Sequence, residues 1–116
     1  MNVLIVDDHR SARASVRRLL EAEGFTVVGE APDGHAAIVA AQQLQPDLVL
    51  LDVQLPDLDG FEVAARLAAS GLSSAVVLTS SRAAAEYGSL IADSPARGFI
   101  PKADLSGATL TGLISA

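Results

Sequence analysis

The 116-residue chain has no cysteine and no tryptophan, one lysine, and four aromatic side chains in all. Without cysteine there can be no disulfide scaffold, no thiolate metal site and no thiol nucleophile, so any chemistry must use oxygen. No apolar run approaches the roughly 20 residues that cross a bilayer. The N-terminus reads as a strand with no basic lead-in to a signal peptide, and a cytoplasmic protein is expected. Positive charge is scarce as well. Eight basic residues against fourteen acidic ones give a net charge of −6, which repels polyanions and argues against nucleic acid or an anionic membrane as a partner of this chain. Seven of the eight basic residues are arginine, so Lys102 is the only lysine. What the chain does have is apolar bulk: half of its residues are hydrophobic and 19% are charged. That is enough to bury one core, and the length suits a single domain over residues 1–116.

Four short segments are almost wholly apolar: Val3 to Val6, Leu48 to Leu51, Ala75 to Leu78, and Phe99 to Ile100. Continuous rather than alternating apolar strands are buried on both faces, as in a parallel sheet covered by helices. A weaker stretch, Phe25 to Val28, predicts a fifth strand at an edge. The strand starts recur at intervals that fit one strand plus one helix each. Ser11 to Glu23 places Ala12, Val16, Leu19 and Leu20 on one face and Arg13, Arg17 and Glu21 on another, with Gly24 as C-terminal cap. Asp33 to Leu44 and Phe61 to Ala69 predict the second and third helices. The fourth, between Arg82 and Asp93, contains Gly88, and the fifth, between Leu105 and Ile114, contains Gly107 and Gly112. Each interior glycine costs roughly 1 kcal/mol relative to alanine. The expected fold is α/β: a doubly wound, flavodoxin-like, five-stranded parallel sheet of order 2-1-3-4-5 with helices on both faces.

In such a sheet ligands bind at the C-terminal ends of the strands. Those ends carry Asp7 and Asp8, Asp52, Thr79 and Lys102. Each has an ordinary structural reading. Asp8 could cap the first helix, Asp7 could be a solvated loop residue, Thr79 a turn hydroxyl, and Lys102 a solvated loop lysine. Asp52 resists such a reading, because it ends the most apolar strand and is followed by Val53-Gln54-Leu55-Pro56 rather than by a helix. Together, three carboxylates repel one another unless a cation joins them. Mg²⁺ takes oxygen ligands, typically one or two carboxylates plus a phosphate oxygen. Asp8, Asp52 and a main-chain carbonyl just beyond Asp52 suit it. A phosphoryl group bound there would draw on the Thr79 hydroxyl and the Lys102 ammonium, and Asp52 could receive it as an aspartyl phosphate.

The stretches Val6-Asp7-Asp8-His9, Pro46 through Gly60, Leu78-Thr79-Ser80 and Gly98-Phe99-Ile100-Pro101-Lys102 together resemble a response-regulator receiver domain of two-component signalling. The resemblance covers essentially the whole chain. It implies that Asp52 is the phosphoacceptor for a phosphohistidine on a sensor kinase or phosphotransfer protein. It further implies that Asp8, Asp52 and the Gln54 main-chain carbonyl hold Mg²⁺, with Asp7 reaching it through water. Lys102 and Thr79 would contact phosphate oxygens. Phe99 would follow Thr79 and relay the change to the surface of the fourth helix, fifth strand and fifth helix, where a downstream protein partner, an output domain or a second copy of the chain would respond. The chain also resembles receivers joined to helix-turn-helix DNA-binding modules, so it is expected to be either a stand-alone receiver or part of a longer regulator.

Some residues depart from the pattern. Ala103 follows the lysine where proline is common, Pro101 precedes it, and Ser94-Pro95-Ala96-Arg97 replaces a smaller connection. His9 reads as a solvent-facing loop residue, and His35 has no partner motif. The competing reading is a receiver-like interaction module that is never phosphorylated; the altered loop at Lys102 favours it and the complete acidic set opposes it. A Mg²⁺-dependent phosphohydrolase would need an acid at Gln54. A dinucleotide site would need glycines where Asp7-Asp8-His9-Arg10 stand. Gln54 and Ser81 flank the presumed site and are expected to tune the lifetime of the phosphorylated state.

Overall fold

The computed structural model describes residues 1–115. It consists of β1 (Asn2–Val6), α1 (Arg10–Ala22), β2 (Thr26–Ala31), α2 (Gly34–Leu44), β3 (Leu48–Asp52), α3 (Gly60–Ala69), β4 (Ala75–Ser80), α4 (Leu90–Asp93), β5 (Gly98–Pro101) and α5 (Gly107–Ile114). Short 3₁₀ turns occupy Ala84–Tyr87 and Lys102–Asp104. The five strands form one parallel sheet in the order β2-β1-β3-β4-β5, as expected, with β2 and β5 at the edges.

Residue alternation along the strands explains why they read as continuous apolar runs. Leu4, Val6, Val49, Leu51, Val76 and Leu78 pack on one face against Ala37 and Ala41 of α2 and Val63, Ala64 and Leu67 of α3. Val3, Ile5, Leu48, Leu50, Ala75 and Val77 pack on the other against Leu20 of α1 and Leu110 of α5. Every residue of β3 is buried, and all but the terminal Asp52 are apolar, as a strand covered on both faces requires.

Several boundaries differ from expectation. Strand β2 runs on to Ala31, because Glu30 pairs in register with Ile5 and its carboxylate is neutralised by Arg13 and Arg17. Helix α4 is a single turn. Gly88, at φ +57°, breaks the expected Arg82–Asp93 helix into the 3₁₀ turn before it and α4 after it. Helix α5 starts at Gly107, where Ser106 accepts a hydrogen bond from the Thr109 N–H, because Lys102–Asp104 is drawn into its own 3₁₀ turn.

Candidate functional site

Strands β1, β3 and β4 end level with one another, which brings their terminal residues to one edge. Asp7 follows β1, and its N–H donates to the Ala31 carbonyl at 3.1 Å. Asp52 is the last residue of β3, in register with Thr79 on β4. All three are buried. The β3–α3 loop then turns back sharply: the Gly60 N–H donates to the Val53 carbonyl at 2.8 Å. A Cβ at Gly60 would lie 2.7 Å from the Asp52 carbonyl oxygen, so glycine is required for this close approach.

Lys102 reaches into this cluster from beyond β5. Its Nζ donates to Asp7 Oδ2 at 2.7 Å and to Asp52 Oδ2 at 3.0 Å. The second oxygen of each acid accepts from backbone: the His9 N–H bonds Asp7 Oδ1 at 2.9 Å, and the Gln54 N–H bonds Asp52 Oδ1 at 3.1 Å. Thus Pro101 and Ala103 do not prevent the lysine from meeting the acids. The 3₁₀ turn at Lys102–Asp104 follows Pro101 directly.

The three charged groups respond differently to one environment. Burial pushes the Asp7 carboxyl up, but the Lys102 ammonium and the His9 N–H outweigh it and hold it below its ordinary value. Burial also pushes Asp52 up; the Gln54 N–H and Lys102 oppose this, Asp7 repels, and the net shift is upward. For Lys102 burial acts downward, and the hydrogen bonds to Asp7 and Asp52 carry the ammonium above its usual range. Asp7 is the better-compensated acid: it has the shorter contact with Lys102 and further support from His9, whereas Asp52 is also repelled by Asp7.

Asp8 stands apart from this pairing. Helix α1 begins after His9 and has no side-chain cap, so the capping reading for Asp8 fails. Its carboxylate is about a third exposed and lies 2.9 Å from His9 Nδ1. Oxygens of Asp7 and Asp8 and a ring nitrogen of His9 lie within 4.8 Å of one another. Asp7 and Asp52 share one ammonium while Asp8, close to Asp7, has only the His9 ring beside it, and this excess of negative charge on hard oxygen donors suits a divalent cation such as Mg²⁺.

The remaining expected residues lie around the cluster rather than in it. Thr79 Oγ1 donates to the Ile100 carbonyl at 2.7 Å, across to β5. Phe99 packs beneath, its ring 5.8 Å from that of Tyr87, which in turn meets Phe61 edge-on at 5.5 Å. The Gln54 side-chain oxygen, in the amide orientation that satisfies both groups, accepts from Arg82 Nε at 3.1 Å and Nη2 at 3.2 Å. Sequence reasoning did not single out Arg82, and it paired Gln54 with Ser81 instead. It named Ser80 within the Leu78-Thr79-Ser80 stretch but gave it no role, and the fully buried Ser80 hydroxyl bonds the Tyr87 hydroxyl at 2.6 Å. His35, given no role, has its Nδ1 2.6 Å from Asp57 Oδ2. Asp57 also accepts from the N–H groups of His35, Gly34 and Leu58 and is held well below the usual carboxylate range. Such contacts join residues distant in sequence, and only the fold reveals them.

The model of the response regulator receiver domain family matches residues 3–111. The chain belongs to that family. Among solved structures, this receiver domain is similar to the signal receiver domain of NarL from Mycobacterium tuberculosis: 32% identity, TM-score 0.88, covering 99% of this chain and 97% of that one. It also resembles a chain of the CheX-CheY-BeF3-Mg complex from Borrelia burgdorferi at 25% identity and TM-score 0.85, covering 98% and 86%. Among curated proteins, the receiver domain is 41% identical over 100 residues to BvgA of Bordetella pertussis, covering 86% of this chain and 48% of that protein. It is 33% identical over 102 residues to the DNA-binding transcriptional activator EvgA of Escherichia coli K12, covering 88% and 50%. The chain thus spans about half the length of these curated relatives. None of its helices, among the described residues, is long and apolar enough to cross a membrane.

Proposed function

We propose that this receiver domain, acting as one unit over residues 1–116 in the cytoplasm, accepts a phosphoryl group on Asp52 from the phosphohistidine of a sensor kinase or phosphotransfer protein. The observation that carries this reading is the double contact of Lys102 with Asp7 and Asp52. The ammonium of the chain's only lysine sits where a phosphorylated Asp52 would place new negative oxygens. In the transfer an Asp52 carboxylate oxygen forms the new P–O bond as the histidine N–P bond breaks, and the imidazole leaves with the electron pair. Asp52 Oδ1 is oriented by the Gln54 N–H, which fixes the carboxylate plane before attack. Lys102 is free to exchange its carboxylate partner for a phosphate oxygen, and Thr79 to turn from the Ile100 carbonyl towards another.

Asp8, Asp52 and the Gln54 carbonyl would hold Mg²⁺, with Asp7 acting through water. Bound there, the ion would neutralise charge on the acids and the incoming phosphoryl. The domain promotes its own phosphorylation and dephosphorylation rather than multiple turnover. Gln54 tunes the lifetime of the phosphorylated state through its contact with Arg82. Rearrangement at Thr79 and Phe99 reaches the α4, β5 and α5 surface, which engages a downstream protein, an output domain or a second copy of the chain. Incubation with Mg²⁺ and acetyl phosphate, read by intact mass, is expected to add one phosphoryl group that Asp52→Asn abolishes. An unmodified wild-type mass would overturn the reading in favour of a constitutive interaction module.

A further inference from the structure

The side chain that holds the acidic turn from outside is Arg13, one turn into α1. Its Nη1 donates to the Asp7 carbonyl at 2.6 Å, and its Nε donates to Glu30 Oε1 at 3.0 Å. Glu30 stands near the end of β2, and its other oxygen accepts from Arg17 Nε at 2.9 Å. The Arg13 side chain is only 14% exposed, unlike an ordinary solvated helix arginine. The carbonyl it grips belongs to the peptide that links Asp7 to Asp8. On the other side of Asp7, the N–H is already fixed by the Ala31 carbonyl.

We propose that Arg13 is a positioning residue for the acidic site: it fixes the plane of the Asp7–Asp8 peptide, and Glu30 aims it. The inference rests on the receiver reading above. A guanidinium suits the task because its donors lie in one rigid plane and hold two acceptors at a set angle, whereas the three donors of an ammonium rotate about its stem. Asp8 needs such support most. Its side chain is exposed and its contact is with the ring of an exposed histidine, so the backbone of the turn determines where its oxygens lie. Glu30 has a second effect. A bare guanidinium next to the acids would oppose a divalent cation, whereas paired with Glu30 it presents little net field. Geometry and charge therefore pull in opposite directions when Arg13 is removed, and the sign of the change distinguishes them.

The test is Mg²⁺ affinity of the unphosphorylated protein by calorimetry, with urea unfolding as a check on the fold. Arg13→Ala is expected to weaken Mg²⁺ binding about tenfold, equivalent to about 1.4 kcal/mol, with unfolding still cooperative. Arg13→Lys keeps the charge but not the fork and is expected to behave like Arg13→Ala. Glu30→Ala is expected to weaken binding on its own and to have little further effect in an Arg13→Ala background, because the two act as one device. Arg17→Ala, which removes only the outer partner of Glu30, is expected to stay within twofold of wild type. Unchanged or tighter binding in Arg13→Ala, or rescue by lysine, would overturn the proposal. If Arg13→Ala does not fold, Glu30→Ala decides: affinity equal to wild type overturns it. Failure of the wild type to bind Mg²⁺ would instead be a failure of the receiver reading.

Discussion

The two halves of the sheet are built to different standards. Around β1 and β3 the helices are long: α1 has 13 residues, α2 has 11 and α3 has 10. Asp33 and Asp59 cap α2 and α3 through the N–H groups of Ala36 and Glu62. Beyond β4 the chain makes a four-residue 3₁₀ turn and a four-residue α4, neither with a buried residue. The acids sit on the first half. The surface that would read them out belongs to the second. A charged cluster needs a rigid frame, because its desolvation cost is offset only by well-placed partners. A switching surface needs the opposite, two arrangements close in free energy, and a segment with little buried area supplies that.

Leu51→Ala should break the comparison most forcefully. Leu51 is fully buried on β3, and its truncation is expected to cost about 2–5 kcal/mol in urea unfolding. Leu90→Ala on α4, where the side chain is 52% exposed, is expected to stay within about 0.5 kcal/mol. Equal costs would show that the two halves are not different in kind.

Lys102→Ala should cost less than Leu51→Ala, on the order of 2 kcal/mol, because the ammonium keeps some contact with water while both acids lose their shared partner. The pH dependence has a defined sign. Lys102 is raised above its ordinary 10.5, so its contribution is complete below that value and is lost as pH rises through the raised one. Asp7 is lowered from 3.8, so its contribution is present above 3.8 and is lost as pH falls through the lowered value. Asp52 is raised from 3.8, so folding favours its protonated form and its contribution declines as pH climbs from 3.8 through the raised value. Urea titrations on both sides of neutrality should show Lys102→Ala removing the alkaline loss. A variant that keeps the wild-type alkaline limb would place the lysine outside the pair in solution.

A smaller effect than that at Lys102 concerns the cap. Asp59→Ala is expected to cost about 1 kcal/mol, and hydrogen exchange should localise the loss to α3, beside the site. Faster exchange in α4 instead would mean that the halves are coupled more tightly than their packing indicates.

What was legible in the sequence followed the same division. Strands β1, β3 and β4 were plain because burial on both faces removes polar residues from them, and the acids, Thr79 and Lys102 could be read at their ends. The end of β2 was not, since Glu30 looks like a strand terminator until Arg13 and Arg17 are seen to neutralise it. The split of the fourth helix turned on the positive φ of Gly88, where local propensity alone does not say whether packing will override a break. Arg82, Tyr87 and the His35–Asp57 pair escaped notice because each partner lies on a different element. Helical spacing placed Arg13 on the polar face of α1, and nothing local pointed it at Asp7.

The hydrogen bond that closes residues 53–60 into a ring, with no room for a Cβ at Gly60, bears on how such a domain can diverge. A loop closed in this way and pressed against β3 has little freedom to gain or lose a residue, or to fill that one position, without displacing Asp52. The segment from Ser81 to Arg97 is held mainly by side chains, Arg82 on Gln54 and Tyr87 on Ser80, with the Arg97 N–H on the Val76 carbonyl at its end, so between those points its composition is less constrained. New partners can therefore arise by substitution on one side of the sheet while the chemistry on the other is inherited unchanged.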